Sequence, residues 1–250
     1  MRMRVGWVLQ AAVLMALSAC SAGGTTDGPA PATEAPQVEL QEATAAPDDS
    51  AGAPEGGVVF QIQPAETEAR FVIGEILGGQ PNTVIGVNNQ VQGQITLDFS
   101  DPAASQIGAI EIGADAFLTD SNLRNRAINR FILQSGTYPT ITFVPASISG
   151  LPGASAVGQP VQLEITGALT IRDITRPVTF TAEVVLAAEN RLEGSATATI
   201  QRADFELTIP QVPRVAGVDE AVVLELDFVA LAPNPPAGFT PFLHNSHMIS

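Results

Sequence analysis

Strict two-residue alternation of apolar and polar side chains is the feature that most narrows the fold of this chain. Val161, Leu163, Ile165, Gly167, Leu169 and Ile171 alternate with Gln162, Glu164, Thr166, Ala168, Thr170 and Arg172. Val178, Phe180, Ala182, Val184 and Leu186 alternate mainly with Thr and Glu. Leu192 to Ile200 repeat the pattern, and Val222, Leu224, Leu226 and Phe228 close it. Successive side chains of a strand point to opposite faces, so each segment has one dry and one wet face. Segments 69–77, 83–88, 91–99, 107–113 and 140–148 are similarly rich in β formers, which makes about nine strands. Turn signals separate them: "GGQPN", "SDP", "GLPG" and "AEN".

One-sided alternation with short connections predicts antiparallel strands, in a sandwich or a closed barrel. Several segments run about ten residues, which at ~3.3 Å each is long for a small sandwich. Such lengths suit a tilted barrel of about eight strands, the size that holds one small ligand. Gly194, Ala196 and Ala198 on one apolar face either leave room inside or lie under large neighbours such as Phe180 or Phe228.

The β pattern is interrupted once. From Asp120 to Leu133 the apolar residues Leu123, Ala127, Ile128, Phe131 and Ile132 fall at helical spacing and cover one half of a wheel. Asn125, Arg126, Asn129 and Arg130 take the other half. "LRNRAINRF" thus sets three arginines within one short helix of a chain that has no lysine. Arg126 and Arg130 read as a solvated face. Arg124 falls inside the apolar arc, so it must snorkel outward or meet a buried carboxylate or a ligand oxygen.

The ends differ from the middle. Arg2 and Arg4, the apolar run Val5 to Leu17, and "LSAC" up to Cys20 read as a secretory signal over residues 1–19, too short to span a membrane. Leu, two small residues and the chain's single Cys resemble the lipobox of bacterial lipoproteins, which places the lipid on Cys20. That implies an extracytoplasmic protein anchored to the cell membrane. Residues 21–57 are mostly Ala, Pro, Gly, Thr and acids, with no basic residue and almost no large apolar one, a composition that predicts a solvated tether after the lipidated Cys20. Residues 233–250 form an irregular, proline-rich tail. Between lie roughly 175 residues, enough for one well-buried domain at 58–232.

Composition removes several function classes. A formal charge of −15 excludes a nucleic-acid partner, which needs a broad basic surface. His244 and His247 lie in the tail at H-x-x-H spacing, with neither a third ligand nor a helical frame, and predict no metal site. No Gly-rich phosphate loop, G-x-S-x-G elbow or zinc motif occurs. The expectation is a protein that is not an enzyme and has no cofactor. Nothing in the sequence fixes an oligomeric state.

"RFVIGEIL", "SNLRNRAINRFILQSGTYPTITF", "GALTIRDITRPVTF" and "RADFELTIP" occur in this order and together resemble the YceI-like family of lipid- and polyisoprenoid-binding domains, over about residues 58–232. The resemblance implies an all-β, antiparallel, lipocalin-like barrel with a short helical segment near one mouth. It also implies an isoprenoid or other long-chain lipid, quinone-like or polyprenyl, in an apolar channel. Three positions depart from the family pattern: Asn125 stands where Arg is usually followed by Asp, and Asp173 and Glu206 stand where Gly is usual. Asp tolerates left-handed backbone, so Asp173 suits a turn. Alternation and the helical arc supply the candidate wall: Phe71, Ile73, Ile85, Phe117, Leu123, Ile128, Phe131, Phe143 and Phe180. Each is equally readable as plain core. Arg124 and the Tyr138 hydroxyl are the candidate polar partners of a headgroup. The competing expectation is a surface, stress-related or interaction protein whose barrel is filled by its own side chains.

Overall fold

The computed structural model describes residues 57–154 and 156–233. The proposed leader, Cys20, most of the tether, the tail and both histidines lie outside the described residues. Thirteen strands form one antiparallel sheet. In chain order these are β1 (Gly57–Ile62), β2 (Glu68–Leu77), β3 (Gln80–Asn88), β4 (Val91–Gln92) and β5 (Gln94–Asp98). Next come β6 (Gln106–Ile107), β7 (Ile110–Gly113), β8 (Thr140–Ser149), β9 (Pro160–Ile171) and β10 (Ile174–Ala188). The last three are β11 (Arg191–Gln201), β12 (Val215–Val218) and β13 (Ala221–Leu231).

The long strands carry the curl. β8, β9, β10, β11 and β13 pair in that order, with β9 and β10 joined by the two residues between Ile171 and Ile174. The far edge of β13 takes two strands in succession, β2 against Val223 to Asp227 and β1 against Ala230 and Leu231. β3 folds back on β2 through Gly78 and Gly79, both left-handed at φ 59° and 84°, as a tight hairpin between twisted strands requires. The chain then runs directly from β3 into β4, which pairs with β7, which pairs with β8. Asn88 Nδ2 donates to the Gly113 carbonyl at 2.6 Å, and Val87 bridges Leu118, so the ends of the curled sheet meet. An antiparallel, lipocalin-like β-barrel results, with one short helix.

Alternation locates the inward faces well. Leu163, Ile165, Leu169 and Ile171 of β9, Val178, Ala182 and Leu186 of β10, and Leu192, Ala198 and Ile200 of β11 are all buried. Segment 91–99 breaks at Gly93 because its halves have different partners, β4 pairing with β7 and β5 with β1. Segment 107–113 breaks for the same reason, β6 pairing with β5 and β7 with β8. β1 and β12 have no counterpart among the expected segments. Both are short, and β12 pairs across a bulge to the end of β2.

The helical segment starts where expected but turns Asn125 inward and leaves Leu123 73% exposed, and it then changes pitch. Ser121 caps it by accepting from the Arg124 amide, and α1 runs over Asn122–Ala127. Ile128–Ile132 is a π turn, closed by the Leu133 amide on the Ile128 carbonyl at 2.8 Å. The wider turn takes one residue more than an α turn, so a wheel drawn at 100° per residue misplaces the side chains beyond it. Leu133 is buried where Phe131 was expected to be, and Phe131 is 59% exposed. Asn125, expected on the wet half, is buried and accepts from the Thr119 amide at 2.8 Å and hydroxyl at 2.7 Å.

Candidate functional site

The barrel interior holds two chambers that share a girdle of Phe117, Ile141, Ile171 and Leu224. The deep chamber, about 190 Å³, is walled by inward side chains of β8 to β11 and β13, among them Phe143, Ile165, Phe180, Ala196 and Phe228. Arg70, Ser105, Gln106 and Glu225 are the polar members of its wall. The mouth chamber, about 570 Å³, lies at the end where β2, β9 and β11 finish and β3, β10 and β13 begin. Phe71, Ile73, Val84, Ile128 and Leu133 wall it on the barrel side. Residues 207–215 and the rim residues Leu77 and Leu123 close it outward. The larger volume falls within the 300–1,000 Å³ range typical of small-molecule sites.

Side chains fill the interior only locally. The Phe228 ring lies over Gly194, where an added Cβ would stand 2.7 Å from it, and Phe71 lies over Gly86 in the same way at 2.0 Å. Phe143 covers Gly167, whose Cβ would also stand 2.5 Å from the Val144 carbonyl. Glycine opposite an aromatic ring is how adjacent strands let a large side chain lie flat. Phe228 therefore takes the room that Gly194 leaves, whereas Ala196 faces open volume. Phe143 and Phe180 meet edge to face at 5.0 Å, and Phe71 and Phe117 pack tilted at 5.5 Å.

One charged group reaches the mouth chamber from the helix. Arg124 donates to Glu75 Oε1 at 2.9 Å and pairs also with Asp120. Glu75 is 8% exposed and takes a second hydrogen bond from Asn82 Nδ2 at 2.9 Å. Arg124 thus meets a buried carboxylate, one of the outcomes its place on the apolar arc predicted. The departures at Asp173 and Glu206 meet at one point. Glu206, at φ 50°, occupies a left-handed position that favours glycine. In the β9–β10 turn the left-handed residue is Arg172, at φ 57°, and not Asp173 as expected. Arg172 Nη2 donates to the Phe205 and Glu206 carbonyls at 3.1 and 3.0 Å, which fastens the two strained positions together.

Of the candidate wall, Phe71, Ile73, Phe117, Leu123, Ile128, Phe143 and Phe180 line the chambers, as does Arg124. Ile85 does not: β3 turns Val84 and Gly86 inward and leaves Ile85 48% exposed. In "TVIGVN" two apolar residues stand side by side, and a shift of one position exchanges the faces of a strand. Phe131 is outside both chambers, turned away by the π turn. Tyr138, whose amide donates to the Gln134 carbonyl at 3.0 Å, lines neither. Reasoning from sequence missed the mouth residues of 207–215, which have no period, and Glu75, an acid within the apolar second half of β2. Among the described residues no three His, Cys, Asp or Glu side chains group to hold a metal ion, and no helix is long and apolar enough to cross a membrane.

An antiparallel barrel around an almost wholly carbon-lined interior, with few charged side chains in the walls of its two chambers, defines a lipocalin-like fold. Its family is fixed by the sequence itself. The model of the YceI-like domain matches residues 60–230, and the chain belongs to that family. Two solved structures share the fold. One is a polyisoprenoid binding domain from Saccharophagus degradans implicated in plant cell wall breakdown, with TM-score 0.57 at 13% identity, covering 70% of this chain and 99% of that one. The other is BcnA of Burkholderia cenocepacia, with TM-score 0.54 at 19% identity, covering 67% and 98%. Among curated proteins none matches this sequence.

Proposed function

We propose that this protein is a binding protein, not an enzyme, that encloses an elongated apolar lipid of the isoprenoid or quinone-like class. In this reading Cys20 carries a lipid that holds it to an extracytoplasmic membrane face, for carriage or sequestration of the bound molecule. The observation that carries the binding reading is the pair of joined chambers, walled by carbon and left open by the protein's own side chains. Shape and chemistry agree: a narrow deep chamber beyond a four-residue girdle suits a chain end, and a wider mouth chamber suits the thicker or more polar end. Burial of such a tail at ~25 cal/mol per Å² favours binding by several kcal/mol per few hundred Å², before association costs. Membership of the YceI-like family supports the reading, as does the polyisoprenoid named for the Saccharophagus degradans domain.

The test is to strip the purified protein with solvent, identify extracted lipid by mass spectrometry, and add back a fluorescent isoprenoid analogue. Phe143→Asp places a charge inside the deep chamber and abolishes binding, while Phe131→Asp, outside both chambers, leaves it unchanged in solution. Equal behaviour of these variants, or an unaltered protein that binds nothing after stripping, overturns the proposal. The anchor is tested separately. A radioactive fatty acid labels the wild type and not Cys20→Ser, and equal labelling of the two refutes it.

A further inference from the structure

The outer face of the helical segment has a composition that neither the fold nor an enclosed lipid requires. Leu123 is 73% exposed and Phe131 59%, and Arg126 and Arg130 stand exposed beside them, at helical intervals along one face. Leu77 and Val212, also exposed, border the same mouth. The arginines sharpen the contrast. Arg70 is held by Glu68, Glu225 and Asp227, and Arg191 by Glu66 and Glu193. Arg172, Arg176 and Arg202 donate to carbonyls, and Arg124 is paired. Among the described residues, the arginines whose guanidinium has no polar partner are Arg126, Arg130 and Arg214, two on this face and the third in the loop that closes the chamber. In a chain of net charge −15, the described arginines without a partner thus stand on the helical segment and the loop that bound the mouth chamber, two of them beside large exposed apolar side chains.

We propose that this face docks the mouth of the barrel onto an anionic phospholipid bilayer. Cations interleaved with exposed Leu and Phe are the chemistry of segments that lie in a membrane interface, the apolar groups entering the acyl boundary and the arginines meeting phosphates. The acidic remainder of the surface is repelled by the same bilayer, which orients the molecule with its mouth down. The chamber then opens onto the acyl region. A lipid entering or leaving crosses Leu77, Leu123 and Val212 without passing through water. The docking face does not depend on which molecule occupies the chambers.

The experiment uses the full chain in a Cys20→Ser background, with an environment-sensitive dye on Asn122→Cys beside the face or on Asn190→Cys in the β10–β11 turn at the opposite end. Vesicles of phosphatidylglycerol and phosphatidylcholine shift and brighten the dye at position 122 and leave that at 190 unchanged. Phosphatidylcholine alone has little effect on either. Arg126→Gln with Arg130→Gln lowers vesicle affinity read at position 122 about thirtyfold, at about 1 kcal/mol per arginine near an anionic surface. Leu123→Ser with Phe131→Ser lowers it about tenfold. All four positions are exposed, and unchanged circular dichroism confirms folding. Equal responses at both labels, no response at 122, or affinity indifferent to the double Gln variant overturns the proposal.

Discussion

The deep and mouth chambers are built by different means. The deep chamber is mainly a product of register: most of its wall comes from the long strands β8 to β11 and β13, and the short strands β5 to β7 complete it. The mouth chamber is assembled from strand ends, a π turn and the irregular segment 207–215, and it holds the Arg124–Glu75 pair. Regular structure yields a uniform apolar surface readily, because one pattern places every side chain. Charge and shape at the opening need residues that break the pattern, and each such residue needs its own partner.

The largest way to separate the two regions is to remove a partner at the mouth. Arg124→Ala leaves Glu75 buried with Asn82 alone and lowers stability by about 3 kcal/mol, the lower end for a broken buried pair, because Asn82 still donates. Arg126→Ala and Arg130→Ala stay within about ±0.5 kcal/mol. Urea denaturation of the three variants checks this, and equal losses would deny Arg124 its special place. Next comes the deep chamber's dependence on close strand contact. Gly167→Ala sets a Cβ against the Val144 carbonyl and the Phe143 ring, and costs about 2 kcal/mol by overpacking. A thermal melt that matched the parent would show that the strands part freely there.

Filling is a smaller perturbation than breaking. Ala196→Phe occupies the deep chamber, displaces on the order of 60 Å² of ligand contact and weakens isoprenoid binding about tenfold with little change at the mouth. Titration with analogues of two chain lengths measures it: the longer chain loses more. A loss confined to the short analogue would place the chain end elsewhere. The smallest effect is acid dependence, which belongs to neither chamber. Asp98 Oδ1 accepts from the Ser100 hydroxyl at 2.6 Å and from the Ser100 and Asp101 amides at 2.8 and 2.9 Å, which hold its carboxyl below the usual range. Arg191 does the same to Glu66. A depressed folded pKa contributes stability above the unfolded value, near 4 for these acids, and loses it as pH falls through the folded one. Asp98→Asn is accordingly less stable than the parent at neutral pH, and the difference narrows as the pH falls below about 4.

The same division explains what the sequence discloses. β9 to β11 and β13 are legible because period two leaves a single choice of face once one residue is placed, and with them comes Phe180; β8, with Phe143, follows the period less cleanly because its register shifts between Pro145 and Ser147. Ile85 shows the limit: beside Val84 either parity satisfies the pattern, and only the partner strand decides. Gly93 and Gly108 hide strand breaks because pairing changes there while β propensity does not. Arg124 was marked out as a cation on an apolar arc. Its carboxylate lies 49 positions earlier in the chain, beyond the reach of local pattern. The loop 207–215 has no period at all.

The π turn at Ile128–Ile132 has a consequence for how this segment tolerates changes in length. A π turn is an α turn with one residue inserted. Deleting a single residue within it closes the wide turn to an α turn and leaves the later side chains near their present directions, because the wide turn is where the extra residue is absorbed. The same deletion in a helix of regular pitch rotates every later side chain by about 100°. A one-codon deletion is therefore tolerated better at this turn than in the α-helical turn before it.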